Sequence, residues 1–184
     1  MPTVYMVRHG HAAAGFGEHA DPDLDEVGRQ QAERAADILA GAIDTPVSIY
    51  SSPLARARQT AAPLASRWNV NVAIESRVAE IPSPTDDLRE RARWLAGAMA
   101  GRWADLPAEA LDWRRDIIDC VSSFETDVVV FCHFIVLNVV VGAASGAEAL
   151  ITFRPGNGSV TRIGTGDGGL SVIELGAEAD SRVN

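Results

Sequence analysis

Two histidines, two arginines and one glutamate in this 184-residue chain have the types and placements to do chemistry together. His9 follows Arg8 and precedes Gly10, at the end of an apolar run. His133 closes a second apolar run, and Arg56 stands in the opening turn of an expected helix. Glu80 follows a third, weaker strand-like stretch. A neutral imidazole titrates near ~6.5, so at neutral pH it is a competent nucleophile. Guanidinium forks bind the oxygens of a phosphoryl group in pairs. An alkoxide leaving group needs a proton, and Glu80 is the best-placed carboxylate to supply it, with Asp86 or Asp87 as the alternatives. Gly10, lacking a side chain, would let an anion approach the backbone. Alone, each residue is ordinary: a strand-end histidine, a satisfied buried histidine, a surface arginine, a solvated loop carboxylate. Together they suit phosphoryl transfer.

The elements that must position them follow from periodicity. Thr3 to Val7 reads as a buried strand ending at Arg8. Asp25 caps a helix over residues 26–40 with Val27, Ala35, Ile38 and Leu39 on its apolar face and Gly41 as its stop. Residues 46–50 form a second strand. Ser52 then caps a helix with Pro53 at its first position, running to about Ala65, whose positive end and free amides would face an anion. Residues 70–74 form the third strand, and residues 87–102 and 112–124 two more helices; Trp113, Ile117, Cys120, Val121 and Phe124 share one side of the latter. Residues 127–132 are apolar on both faces and therefore central in a sheet. A helix over 135–144 and a closing hairpin, 159–163 with 170–175, complete the chain. Strands alternating with helices predict a three-layer α/β/α sandwich with a largely parallel central sheet. We expect a single domain over residues 1–184, with a helical insert at about 81–112 on which Trp94 and Trp103 pack. In such sheets ligands bind beyond the carboxyl ends of the strands, where these histidines and arginines fall.

Composition narrows the field. Hydrophobic residues make up 47% and charged ones 22%, the balance of a globular domain. The net charge of −9 argues against nucleic acid. The chain contains no lysine, so any anion site must use Arg, His and backbone amides. No secretory signal and no membrane-spanning run is evident; the longest apolar stretch, 135–141, is broken by Asn138, and a cytoplasmic protein is expected. Cys120 and Cys132 read as two buried, reduced thiols.

The order Val7-Arg8-His9-Gly10-His11, then Leu24, Gly28, Gln31-Ala32, then Ser51-Ser52-Pro53-Leu54-Ala55-Arg56 through Thr60-Ala61, then Glu80, then Val129 to His133 and Pro155-Gly156-Asn157, resembles the histidine phosphatase superfamily, which includes the cofactor-dependent phosphoglycerate mutases. The likeness spans nearly the whole chain apart from roughly residues 81–112. It implies the phosphoglycerate mutase-like fold and a metal-independent phosphomonoesterase that needs no cofactor and acts on a small-molecule phosphate ester. It further implies His9 as the residue that becomes phosphorylated, Arg8 and Arg56 as phosphate ligands, His133 as stabiliser of the transferring group, and Glu80 as proton donor and later base. Two departures matter. Phe134 stands where many relatives have Gly, which suggests an apolar wall against the substrate. Residues 11–15, His-Ala-Ala-Ala-Gly, lack the Ser and Asn that resemble mutase substrate ligands, so hydrolysis is preferred to mutase chemistry.

Three rival readings carry less weight. His9 and His11 with His133 could chelate a divalent metal, but the arginines nearby would repel it. A silent phosphate- or phosphoprotein-binding domain would not require the full set of nucleophile, arginines and second histidine. A mutase would need a carboxylate site, for which Arg114 and Arg115 are the candidates. His11 and His19 are expected to line the entrance, and Arg58 to be surface charge.

Overall fold

The computed structural model describes residues 1–15 and 18–179. In chain order the elements are β1 (Thr3–Arg8), α1 (Glu26–Ala42), β2 (Ser48–Ser51), α2 (Ala55–Trp68), β3 (Val72–Ile74), α3 (Leu88–Met99), α4 (Ala108–Ser122), β4 (Val128–Cys132), α5 (Phe134–Ser145), β5 (Val160–Gly164) and β6 (Ser171–Glu174). Short 3-10 helices cover Ser76–Val78 and Trp103–Asp105. The sheet order is β3-β2-β4-β1-β5-β6. The first four of these run parallel; β5 and β6 add an antiparallel edge. The expected largely parallel α/β sheet is therefore the observed one.

Strand alternation builds the three layers. Val4 and Met6 of β1 and Val128, Val130 and Cys132 of β4 turn to one core with Ile117 and Cys120 of α4 and Ile135 and Val139 of α5. Tyr5, Val7, Val129 and Phe131 turn to the other, against Ala35 and Leu39 of α1 and Ala61 and Leu64 of α2. Because β4 is covered on both faces, all five of its side chains are buried, which is why it reads as an unbroken apolar run. Fully burying a side chain such as Phe131 contributes about 1.5–3 kcal/mol. Asn138 lies inside apolar α5 because its amide is satisfied: Oδ1 accepts from Thr152 N at 2.7 Å and Phe153 N at 3.1 Å, and Nδ2 donates to Phe134 O at 3.0 Å. Cys120 and Cys132 are free and buried. Among the described residues no helix is long and apolar enough to cross a membrane.

Several local expectations need correction. Asp25 does cap α1, accepting from Gly28 N at 2.7 Å, but the helix runs through Gly41 to Ala42 and ends on extended Ile43. Val27 and Ile38 are 52% and 57% exposed; the buried stripe is Gly28, Ala32, Ala35, Ala36 and Leu39. Small residues are chosen there because α1 packs closely on α2 and on the loop after β1. Helix α2 starts later than expected, with Leu54 at the cap position and no side-chain cap of its own. Its first amide, Ala55 N, instead donates to the Asp21 carboxylate at 2.9 and 3.1 Å, so that end of the helix is already satisfied by an anion from the chain. Helix α4 begins at Ala108, four residues before the expected start.

Candidate active site

Parallel register brings the two histidines together. Arg8 pairs with Cys132, so His9 and His133 each stand one residue beyond the ends of β1 and β4. Backbone bonds hold these ends: His9 N donates to Cys132 O at 3.0 Å, and Ser52 N to Phe131 O at 2.9 Å. The imidazole centroids are 5.2 Å apart. Arg56, on the first turn of α2, reaches the same point, its Nε donating to His9 Nε2 at 3.2 Å. Its Nη2 lies 3.8 Å from Glu80 Oε2, and that oxygen lies 3.6 Å from His133 Nδ1. Arg8, His9, Arg56, Glu80 and His133 thus converge at one sheet edge.

The tautomers follow from the partners. His9 Nδ1 is 2.7 Å from the Gly10 carbonyl, which can only accept, so Nδ1 carries the proton and Nε2 presents its lone pair. His9 is 5% exposed. Burial first, then the Arg56 and Arg8 cations, pull its pKa down to about 3, keeping the ring neutral. His133 is held well below its usual value by burial, the adjacent His9 ring and the arginines. Its Nε2 sits 2.7 Å from Ser52 Oγ. Ser52, expected as a helix cap, is therefore committed to orienting a histidine, while its Oγ also accepts from Leu54 N at 3.3 Å. Glu80 is 8% exposed; burial pushes its carboxyl up, opposed by Arg56. Such a group holds its proton to higher pH than a solvated carboxylate. Arg8 is lowered to about 10, chiefly by burial. Arg8 Nε, Arg56 Nη1 and His133 Nδ1 are buried without a hydrogen-bond partner, and the two unspent guanidinium donors suit an anion with acceptor oxygens.

Two residues have duties other than those expected. Gly10 does not open its backbone to a ligand: its N–H donates to Thr60 Oγ1 at 2.9 Å. A Cβ on Gly10 would lie 2.5 Å from Gly28 O, and one on Gly28 would lie 2.1 Å from His11 O. The paired glycines let the loop carrying His9 press directly on α1. Phe134 lies against Arg8, whose Cζ is 5.1 Å from the ring centroid, and the open cavity does not include it. Arg8 Nη1 also donates to Pro155 O at 2.8 Å.

The cavity is about 290 Å³, lined at depth by Arg8, His9 and Arg56 and toward solvent by residues of the loop after β1, including His11 and His19 as expected. Sequence reasoning missed three contributors. Asp21, 40% exposed, holds α2 and approaches Arg56 Nη1 at 3.6 Å. Asn157 lines the cavity and donates to His9 O at 3.0 Å. Thr60 links Gly10 N to Arg56 O, accepting from one and donating to the other at 2.6 Å. Asn157 and Thr60 lie in quoted motifs, so a signal existed; Asp21 had none. Asp87 caps α3 and is exposed, unlike a proton donor held in a buried site. Arg58 is exposed. Arg114 stacks on Trp103 at 5.1 Å, and Arg115 pairs with Asp112, so neither of the mutase candidates joins the cavity. Among the described residues no cluster of three or more His, Cys, Asp or Glu side chains could hold a metal ion.

A mostly parallel α/β sheet with two imidazoles and two guanidiniums at its carboxyl edge defines a class, and residues 4–178 match it: the chain belongs to the histidine phosphatase superfamily (branch 1). It is 33% identical over 115 residues to a glucosyl-3-phosphoglycerate phosphatase of Mycobacterium tuberculosis, a match covering 60% of this chain and 47% of that protein. The chain thus spans about half the length of the curated relatives it matches. Among solved structures, the same fold occurs in a mycobacterial glucosyl-3-phosphoglycerate phosphatase complexed with VO3 (TM-score 0.72, 24% identity, 97% of this chain and 100% of that one). It occurs also in Bacillus stearothermophilus YhfR (TM-score 0.77, 22% identity, 95% and 96%).

Proposed function

We propose that this protein is a metal-independent phosphomonoesterase acting on a small-molecule phosphate ester through a phosphohistidine on His9. One observation carries the reading: His9 keeps its proton on Nδ1 and turns the Nε2 lone pair toward the Arg56 guanidinium, inside a buried donor set. Arg56 Nε donates to that lone pair at 3.2 Å. A phosphate dianion is a far better acceptor than a neutral imidazole, so binding draws the guanidinium onto the phosphate oxygens and frees Nε2.

His9 Nε2 then attacks phosphorus, the P–O ester bond breaks, and the Glu80 carboxyl gives its proton to the departing alkoxide. Arg8, Arg56 and His133 Nδ1 hold the equatorial oxygens as charge redistributes. Water next attacks the phosphohistidine, Glu80 takes its proton, the N–P bond breaks and phosphate leaves with His9 neutral again. Glu80 and His9 end in their starting protonation states, the ester P–O bond has been exchanged for a P–O bond to the water oxygen, and no step needs a metal. Support for hydrolysis over mutase chemistry comes from the loop after β1, which brings no fixed cation to the cavity, and from Arg114 and Arg115, which are engaged elsewhere.

The test is turnover of an activated aryl phosphate and of a panel of phosphomonoesters, with chelator and with vanadate. Turnover that survives chelation, is blocked by vanadate, leaves an acid-labile adduct on quenching and disappears in His9→Ala supports the reading. Stable activity in His9→Ala refutes it.

A further inference from the structure

Four hydrogen bonds close a circuit behind the nucleophile. Gly10 N donates to Thr60 Oγ1 at 2.9 Å, and Thr60 Oγ1 donates to Arg56 O at 2.6 Å. Arg56 Nε donates to His9 Nε2 at 3.2 Å, and His9 Nδ1 donates to Gly10 O at 2.7 Å. The polarity is forced at Thr60. An amide N–H can only donate and a carbonyl can only accept, so the single hydroxyl hydrogen goes to Arg56 O and a lone pair takes the Gly10 N–H. The bond to the carbonyl four residues back also selects one of the two χ1 wells open to threonine in a helix, which aims that lone pair at Gly10. Thr60 is fully buried on α2, one turn after Arg56, and does not line the cavity. The other end of the His9–Gly10 peptide is pinned as well, since His9 O accepts from Asn157 Nδ2 at 3.0 Å.

We infer that Thr60 is a positioning residue for the transfer step, holding the backbone of the nucleophile at a fixed distance from the helix turn that carries Arg56. This rests on the phosphatase reading and deepens it. When phosphate binds, the Arg56 guanidinium turns from His9 Nε2 to the phosphate oxygens, and that arm of the circuit opens. The Thr60 hydroxyl then remains as the circuit's tie between the nucleophile and its phosphate ligand. In-line approach of His9 Nε2 to phosphorus depends on that separation, and transfer tolerates little error in it.

The test uses an activated aryl phosphate, whose good leaving group makes turnover insensitive to the proton donor. Thr60→Val keeps the shape of the side chain and removes the hydroxyl. Its kcat/KM should fall about 100-fold, the loss expected of a displacement of about 1 Å at a reacting group. The inhibition constant of inorganic phosphate, which meets the guanidiniums without any transfer, should change far less, and Thr60→Ser should recover most of the rate. Thr161→Val is the matched control. Thr161 is equally buried, its Oγ1 accepts from Gly176 N at 3.1 Å, and it lies opposite Met6 within the sheet rather than at the strand ends. Thr161→Val should keep the wild-type kcat/KM. If Thr60→Val does not fold, Thr60→Ser against Thr60→Ala, which differ in the hydroxyl alone, give the same comparison. Wild-type kcat/KM in the variant lacking the hydroxyl, phosphate inhibition weakened as much as turnover, Thr60→Ser no faster than that variant, or Thr161→Val equally slow each overturn the inference and leave the phosphatase intact. A wild-type protein that turns over no phosphomonoester, the activated aryl phosphate included, overturns the phosphatase reading itself.

Discussion

Replacing Gly28 by alanine sets two effects of opposite sign against each other. Gly28 lies in the first turn of α1, and alanine is favoured over glycine in a helix by up to about 1 kcal/mol. The added Cβ, however, would stand 2.1 Å from His11 O and 2.9 Å from His11 N. Both are backbone atoms, so no rotamer change relieves the clash. Bringing 2.1 Å out to a tolerable 3.0 Å requires the Gly10–His11 backbone or the helix to withdraw by about 0.9 Å. That backbone includes the Gly10 carbonyl, which fixes the proton on His9 Nδ1, and its N–H is anchored to Thr60. Overpacking of this kind costs about 1–3 kcal/mol, which outweighs the propensity gain, and a displacement of about 1 Å at a reacting group lowers rate about 100-fold. Gly41, in the same helix with nothing within 4 Å of its would-be Cβ, is the control. Gly41→Ala should raise stability by up to about 1 kcal/mol and leave kcat/KM unchanged. Thermal unfolding and aryl phosphate turnover, measured on both variants, give the comparison. A Gly28→Ala protein as stable and as active as Gly41→Ala would refute the argument that this contact positions the nucleophile.

Glu80→Gln should slow alkyl phosphate hydrolysis by about 10²–10⁴ and an activated aryl phosphate far less, since only the poor leaving group needs the proton; equal losses would remove Glu80 from that role. The pH sign follows from burial: the unfolded carboxyl ionises near 4.5 while the folded one keeps its proton higher, so native stability falls as pH rises through that window, and Glu80→Gln should abolish the fall in denaturant melts. Phe134→Gly should weaken vanadate inhibition about 2- to 30-fold through loss of the 5.1 Å stack on Arg8, and Phe134→Trp should restore it. Unaltered vanadate inhibition in the glycine variant would show that Arg8 needs no such support.

The chain's local chemistry spoke clearly where it is self-contained. Apolar runs of the right length marked β1 and β4, Asp25 marked the start of α1, and the order of Arg8, His9, Arg56, Glu80 and His133 pointed to phosphate. Where a residue's partner lies far along the chain, the sequence was silent or misleading. Val27 and Ile38 fit a helical period yet face solvent, because α1 presents its alanines and Gly28 to α2 and the loop after β1. Ser52 has the type of a cap and serves His133; Asp21, unremarkable in a loop, does the capping from 34 residues away. The pairing of Arg8 with Cys132 puts both imidazoles at one edge, and no pattern within either strand encodes that register. Residue type and spacing determine which chemistry is available, because they set propensity and charge; packing between distant segments decides which donors, lone pairs and protons meet, because hydrogen bonds and steric contacts act over a few ångströms and only the folded chain brings them within reach.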